Sequence, residues 1–161
     1  MKAVQYLFVL MITGLCGMTS ALAEPSTGAI EVVDPYVRAV PPVSRNSAMF
    51  MQLQNSGDKA IALVSAASPA AQVVELHTHT NDNGVMRMRR VPEIEIPAGQ
   101  TTVLQPGGLH VMLIGLQQKL EVGGEVEVRL EFDDGSTRTL VAPIRAVKGM
   151  GMKHKHHHHH H

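Results

Sequence analysis

From residue 30 onward, apolar and polar side chains alternate over short stretches separated by turn-forming clusters. A period of two places successive side chains on opposite faces of a strand, so the pattern predicts β-strands. Ile30–Asp34 and Tyr36–Val40 are two such stretches, split by Pro35, which suits an edge or a bend. Ser47–Gln54 alternates in part, and Asn55-Ser-Gly-Asp58 turns the chain into Ala60–Ser65. Val73–His77 follows, then the turn Asn81-Asp-Asn-Gly84 and Val85–Val91. Ile94–Ile96, Thr102–Leu104 and His110–Ile114 are separated by Pro97-Ala-Gly99 and Pro106-Gly-Gly108. Glu125–Phe132 and Thr137–Ala142 form a hairpin about Asp133-Asp-Gly135. No stretch carries the period of a long amphipathic helix. The sum is an all-β fold, an antiparallel β-sandwich.

The two ends of the chain follow different patterns. Lys2 precedes the apolar run Tyr6–Leu15, and Ala21-Leu-Ala23 is a small-residue cleavage site, so residues 1–23 read as a secretory signal peptide cleaved after Ala23. The run is too short and interrupted for a transmembrane helix, and no membrane insertion is expected after cleavage. Thr13-Gly-Leu15 before Cys16 is not a bacterial lipidation site, so lipidation is not expected. Residues 24–147 form the single domain, and residues 148–161 a flexible Met/His-rich tail.

Composition narrows the function. Cys16 is the only cysteine and leaves with the signal, so the mature chain has no disulfide. Without thiols it is neither a thiol–disulfide oxidoreductase nor a blue-copper electron carrier. The formal net charge is zero and loss of Lys2 changes it by one, so no basic field attracts nucleic acid. Tyr36, Phe50 and Phe132 are the aromatics left after cleavage, too few for a stacking platform. No Ser/His/Asp or paired-carboxylate arrangement suggests an enzyme.

The candidate chemistry lies between His77 and Met112. Every histidine outside the tail falls in this window, in His77-Thr-His79 and His110-Val-Met112, with Met86-Arg-Met88 between them. Residues at i and i+2 of a strand share a face, roughly 6.6 Å apart at the backbone. Imidazole and thioether donors, with no thiolate and no clustered carboxylates, suit Cu(I). Met49 and Met51, beside Phe50, read as core filler, Glu75 and Arg87 as ordinary strand-surface residues, and Asp133-Asp134 as turn chemistry.

These residues resemble the periplasmic copper chaperones of the PCuAC family. His77, Met88, His110 and Met112 match its spacing His-x10-Met-x21-His-x-Met, and Glu75-Leu-His-Thr-His, Gly84-Val-Met-Arg-Met-Arg and Pro106-Gly-Gly-Leu-His-Val-Met are similar to its surrounding sequence. The resemblance implies a cupredoxin-like Greek-key β-sandwich that holds Cu(I) on these four ligands. It also implies copper-donating and copper-accepting partners, a Sco-type chaperone and a cytochrome c oxidase subunit among them, in the periplasm. Two imidazoles and two thioethers are neutral ligands that suit d¹⁰ Cu(I), whereas Zn²⁺ prefers thiolate or carboxylate in place of Met. Only the histidines protonate, so binding should weaken as pH falls through the imidazole range. His79 and Met86, each two residues from a proposed ligand, are expected to support the ion or to act as alternate ligands.

The tail holds Met150, Met152, His154 and a run of His156, His157, His158, His159, His160 and His161, which reads either as an affinity tag or as a native end. Such a tail favours Cu(II) and other borderline ions. Besides the copper chaperone, the sequence leaves room for a non-enzymatic structural or adhesive exported β-sandwich, which would show no copper affinity beyond the tail.

Overall fold

The computed structural model describes residues 29–146. The signal segment and the whole tail, with its candidate ligands Met150, Met152, His154 and His156–His161, lie outside the described residues. Among the described residues no helix occurs, and none is therefore long and apolar enough to cross a membrane. Ten strands follow one another: β1 (Ile30–Arg38), β2 (Asn46–Asn55), β3 (Ile61–Ala67), β4 (Ala71–Asp82), β5 (Val85–Arg90), β6 (Ile94–Ile96), β7 (Thr101–Leu104), β8 (His110–Leu116), β9 (Glu125–Phe132) and β10 (Thr137–Arg145).

Hydrogen bonding orders them β5-β4-β8-β2-β1-β10-β9-β3-β6, with β7 paired to β2. Pairing is antiparallel except between β1 and β10, which run parallel at Val37↔Ile144 and join the two halves. The result is an all-β, cupredoxin-like sandwich. One layer is β5-β4-β8-β2-β1 and the other β10-β9-β3-β6. β9 shows the construction: Val126, Val128, Leu130 and Phe132 are buried, while Glu125, Glu127, Arg129 and Glu131 face water. They meet Met49, Met51 and Leu53 of β2 and Val111 and Leu113 of β8 in one apolar cluster. Met49 and Met51 are thus core residues, as their setting in the sequence suggests.

Two differences from the sequence reading matter for the site. Ile30–Asp34 and Tyr36–Val40 are one strand broken by a bulge, because Val33 pairs with Gln52 and Tyr36 with Phe50. Three steps on β1 therefore match two on β2, with Asp34 at a φ of 47°. Pro35 has no N–H to lose from the ladder and sits where one is not needed. The extra residue reverses the inward parity, so that Val32 and Val37 both pack inward while Tyr36 faces out. The second difference is β4, which does not stop at His77 but runs to Asp82. Thr78 and Thr80 are β-branched and carry the strand on against β5.

Candidate metal centre

Strand register decides which donors meet. On β4 and β8, His77 stands directly opposite His110, and Glu75 opposite Met112. On β4 and β5, His79 stands opposite Met88, Asn81 opposite Met86 and His77 opposite Arg90. Residues directly opposed on antiparallel strands share a face, so all the proposed donors lie together. That face is the outer one, since Leu76, Val111 and Leu113 between them point into the core.

The structure does not bring the candidates equally close. His77 and His110 have ring centroids 5.7 Å apart, and Met112 is the next outward-facing residue of β8. Met88 is a diagonal neighbour of His77, one pleat along, at a backbone spacing that long side chains span. The ring of His79 is nearer to His110, at 5.1 Å, than that of His77 is. Met86 lies a further pleat out. Exposure grades the same way: His110 is 1% exposed and Met88 45%. Phe50 closes the floor, its ring 6.3 Å from His110 and 5.3 Å from Tyr36. A depression of ≈ 240 Å³ opens here, lined by His110, His79, Met88, Phe50, Arg38, Ala48, Pro106 and Gly107.

Hydrogen bonds leave one nitrogen of each opposed ring without a partner. The Nδ1–H of His110 donates to the Gly108 carbonyl at 3.0 Å, and its Nε2 is buried and unbonded. His77 places Nε2 2.8 Å from Glu75 Oε2, and its Nδ1 is likewise buried and unbonded. Burial pushes the imidazole pKa of His110 down, against an upward pull from the Gly108 hydrogen bond and with help from the charges of His79 and His77. Its ring therefore favours the neutral, electron-pair-donating form. The hydrogen bond from His77 holds the Glu75 carboxyl below its usual range, with Arg90 acting in the same direction.

Two buried, unbonded imidazole nitrogens on directly opposed residues, with Met88 and Met112 on the same face, are donor types suited to a soft cation. Among the described residues, no group of three His, Cys, Asp or Glu side chains is arranged to hold an ion. A shell of three or more side chains on this face would have to draw on methionine. Glu75, read from the sequence as an ordinary strand-surface residue, is instead bonded to His77 and Arg90 on the donor face. It sits two positions before His77, and the alternation that groups the histidines also places its carboxylate on their face. Phe50 was missed for the opposite reason, because its register with His110 is not a local property.

Proteins already known share this fold. A family profile described as LpqE-like matches residues 30–144. A protein of Leifsonia xyli subsp. xyli that carries a lipoprotein name is 36% identical over 121 residues, covering 74% of this chain and 72% of that one. An uncharacterized protein of Rickettsia prowazekii is 31% identical over 118 residues, covering 71% and 65%. Among solved structures, the copper-bound PCuAC domain from PmoF2 superposes with a TM-score of 0.64 at 25% identity, covering 74% of this chain and 95% of that domain. The Cu(I) form of DR1885 from Deinococcus radiodurans gives a TM-score of 0.60 at 40% identity, with coverage of 74% and 82%. The fold and these likenesses together define a domain of the PCuAC type. The chain belongs to the LpqE-like family.

Proposed function

We propose that this protein is an exported copper chaperone that carries Cu(I) on His77, Met88, His110 and Met112. The observation that carries the reading is the His77–His110 pair, with one buried nitrogen on each ring free of any protein partner. Four neutral ligands match the low charge and soft character of Cu(I) and disfavour Zn²⁺, which prefers thiolate or carboxylate. The copper bound by the related PmoF2 domain and by DR1885 supports the same ion here.

Graded exposure suits a carrier. His110 anchors the site from below, while Met88 at the rim is accessible to an incoming ligand. An acceptor can replace Met88 first and the buried histidine last, so the ion passes on without being released to water. Copper is, on this reading, cargo rather than a catalytic cofactor. On this reading the chain is exported to the periplasm, cleaved after Ala23, and exchanges copper with a Sco-type chaperone and a cytochrome c oxidase subunit during assembly of the oxidase copper site. The lipoprotein name of the Leifsonia relative accords with export. In this chain, Thr13-Gly-Leu15 before Cys16 argues for a cleaved rather than a lipidated form. His79 and Met86 flank the shell as alternate ligands, and the tail residues Met150, Met152, His154 and His156–His161 collect Cu(II).

The test is an anaerobic Cu(I) titration of the chain lacking residues 150–161 against a competing chelator. One competitive equivalent is expected, weakened at least tenfold by Met88→Leu and by His110→Ala, a loss of about 1.4 kcal/mol or more. Failure of this chain to compete for Cu(I) would leave a structural β-sandwich and overturn the proposal.

A further inference from the structure

We propose that Glu75, braced by Arg90, is a positioning residue that fixes the tautomer of His77, so that His77 meets the metal through Nδ1 and His110 through Nε2. The inference rests on the copper reading above and specifies its atoms. An ionised carboxylate can only accept a hydrogen bond. The 2.8 Å contact from Glu75 Oε2 to His77 Nε2 therefore places the proton of the neutral ring on Nε2 and the lone pair on Nδ1. That Nδ1 is the buried atom with no partner. On the facing strand a backbone carbonyl does the same work in the opposite sense. Gly108 O can only accept, so His110 carries its proton on Nδ1 and presents Nε2, which is also buried and unbonded.

Glu75 is itself held. Arg90, directly opposite His77 on β5, brings Nη1 to 3.5 Å from Glu75 Oε1, the oxygen that does not meet the histidine. The guanidinium is largely exposed, so this contact adds little stability of its own. Its effect is directional: one carboxylate oxygen is engaged from β5 while the other is aimed at the ring. A carboxylate behind an imidazole also raises the basicity of the donor nitrogen, and loss of such a partner typically costs 10–100-fold in metal affinity. Glu75 further brings a negative charge close to an otherwise neutral donor set, which offsets the charge of the ion.

The test uses the full chain, and begins without metal. Long-range ¹⁵N–¹H correlation of the histidine rings, at a pH where they are neutral, reads the tautomer directly. The unmodified protein is expected to show His77 protonated at Nε2 and His110 at Nδ1. Glu75→Ala should give a mixture at His77 alone and lower Cu(I) affinity by about tenfold or more. Glu75→Gln, whose side-chain carbonyl accepts the same hydrogen bond, should restore the tautomer and most of the affinity. A merely structural glutamate would move neither the tautomer nor its rescue by glutamine. If Glu75→Ala keeps Nε2–H on His77, or keeps full Cu(I) affinity while His77→Ala loses it, the positioning role is overturned and the chaperone reading stands. If the separate titration of the chain lacking residues 150–161, described above, finds no competition for Cu(I), the chaperone reading falls and this proposal with it.

Discussion

Phe50→Ala is the substitution that most directly probes how the fold builds the site. Phe50 is 4% exposed, lies on the donor face of β2 and has its ring between those of Tyr36 and His110. Truncation removes a buried ring and leaves a hollow continuous with the depression beside His79 and Met88. Phe→Ala in a packed interior costs roughly 3–5 kcal/mol. Here the hollow opens to solvent and can fill with water, which places the expected loss at the lower end, about 3 kcal/mol. For a folded unit of this size that lowers the melting temperature by about 10 °C. The second effect is on His110, whose low pKa comes first from burial. Admitting water beside it should return the pKa toward the ordinary imidazole value. Calorimetry gives the first quantity and NMR titration of the His110 ring the second. Phe50 supplies no donor, so on the proposed copper reading the core Cu(I) stoichiometry should remain at one. A melting temperature lowered by less than about 3 °C, or an unmoved His110 titration, would refute the role of Phe50 as the cover of that ring.

Other consequences are open to measurement. Asn55 is buried and donates from Nδ2 to the carbonyls of Lys59 at 2.8 Å and Ile96 at 3.0 Å, while its Oδ1 accepts from Gly57 N at 2.9 Å. Asn55→Ala strands these groups and should cost about 2–3 kcal/mol in urea denaturation, with a loss below about 1 kcal/mol excluding the bridging role. Stability should also depend on pH through His110. Its pKa is lowered in the folded state, so below about pH 6.5 the unfolded chain takes up the proton first and folding weakens as pH falls toward the folded-state value. This contribution is intact above that range, and denaturation midpoints compared at neutral and mildly acid pH should show the decline. His110→Phe should flatten it, and an unchanged slope in that variant would assign the effect elsewhere.

Much of this protein was legible in its residues one neighbourhood at a time. Alternation marked the strands, and β9 follows its pattern residue for residue. The same period of two placed His77 with His79, His110 with Met112 and Met86 with Met88 on shared faces, because side-chain direction in a strand is set by local backbone geometry. Donor chemistry was equally local: imidazole and thioether prefer a soft ion wherever they are placed. Even Glu75 was within reach of that logic, since it obeys the same parity as His77.

Register was not legible, and register decides the site. Spacing along the chain does not say that His77 faces His110, that Met88 faces His79, or that Phe50 lies under His110. Those pairings come from packing between strands distant in sequence, where a slip of one residue would turn every donor into the core. The bulge at Asp34-Pro35 makes the point within one strand, by reversing the parity that the preceding residues set. The burial that lowers the pKa of His110 likewise exists only once the sheet has formed. The sequence by itself determined which chemistry this protein carries and which strands carry it. Only the tertiary structure decided which atoms meet, because strand register is a property of nonlocal packing.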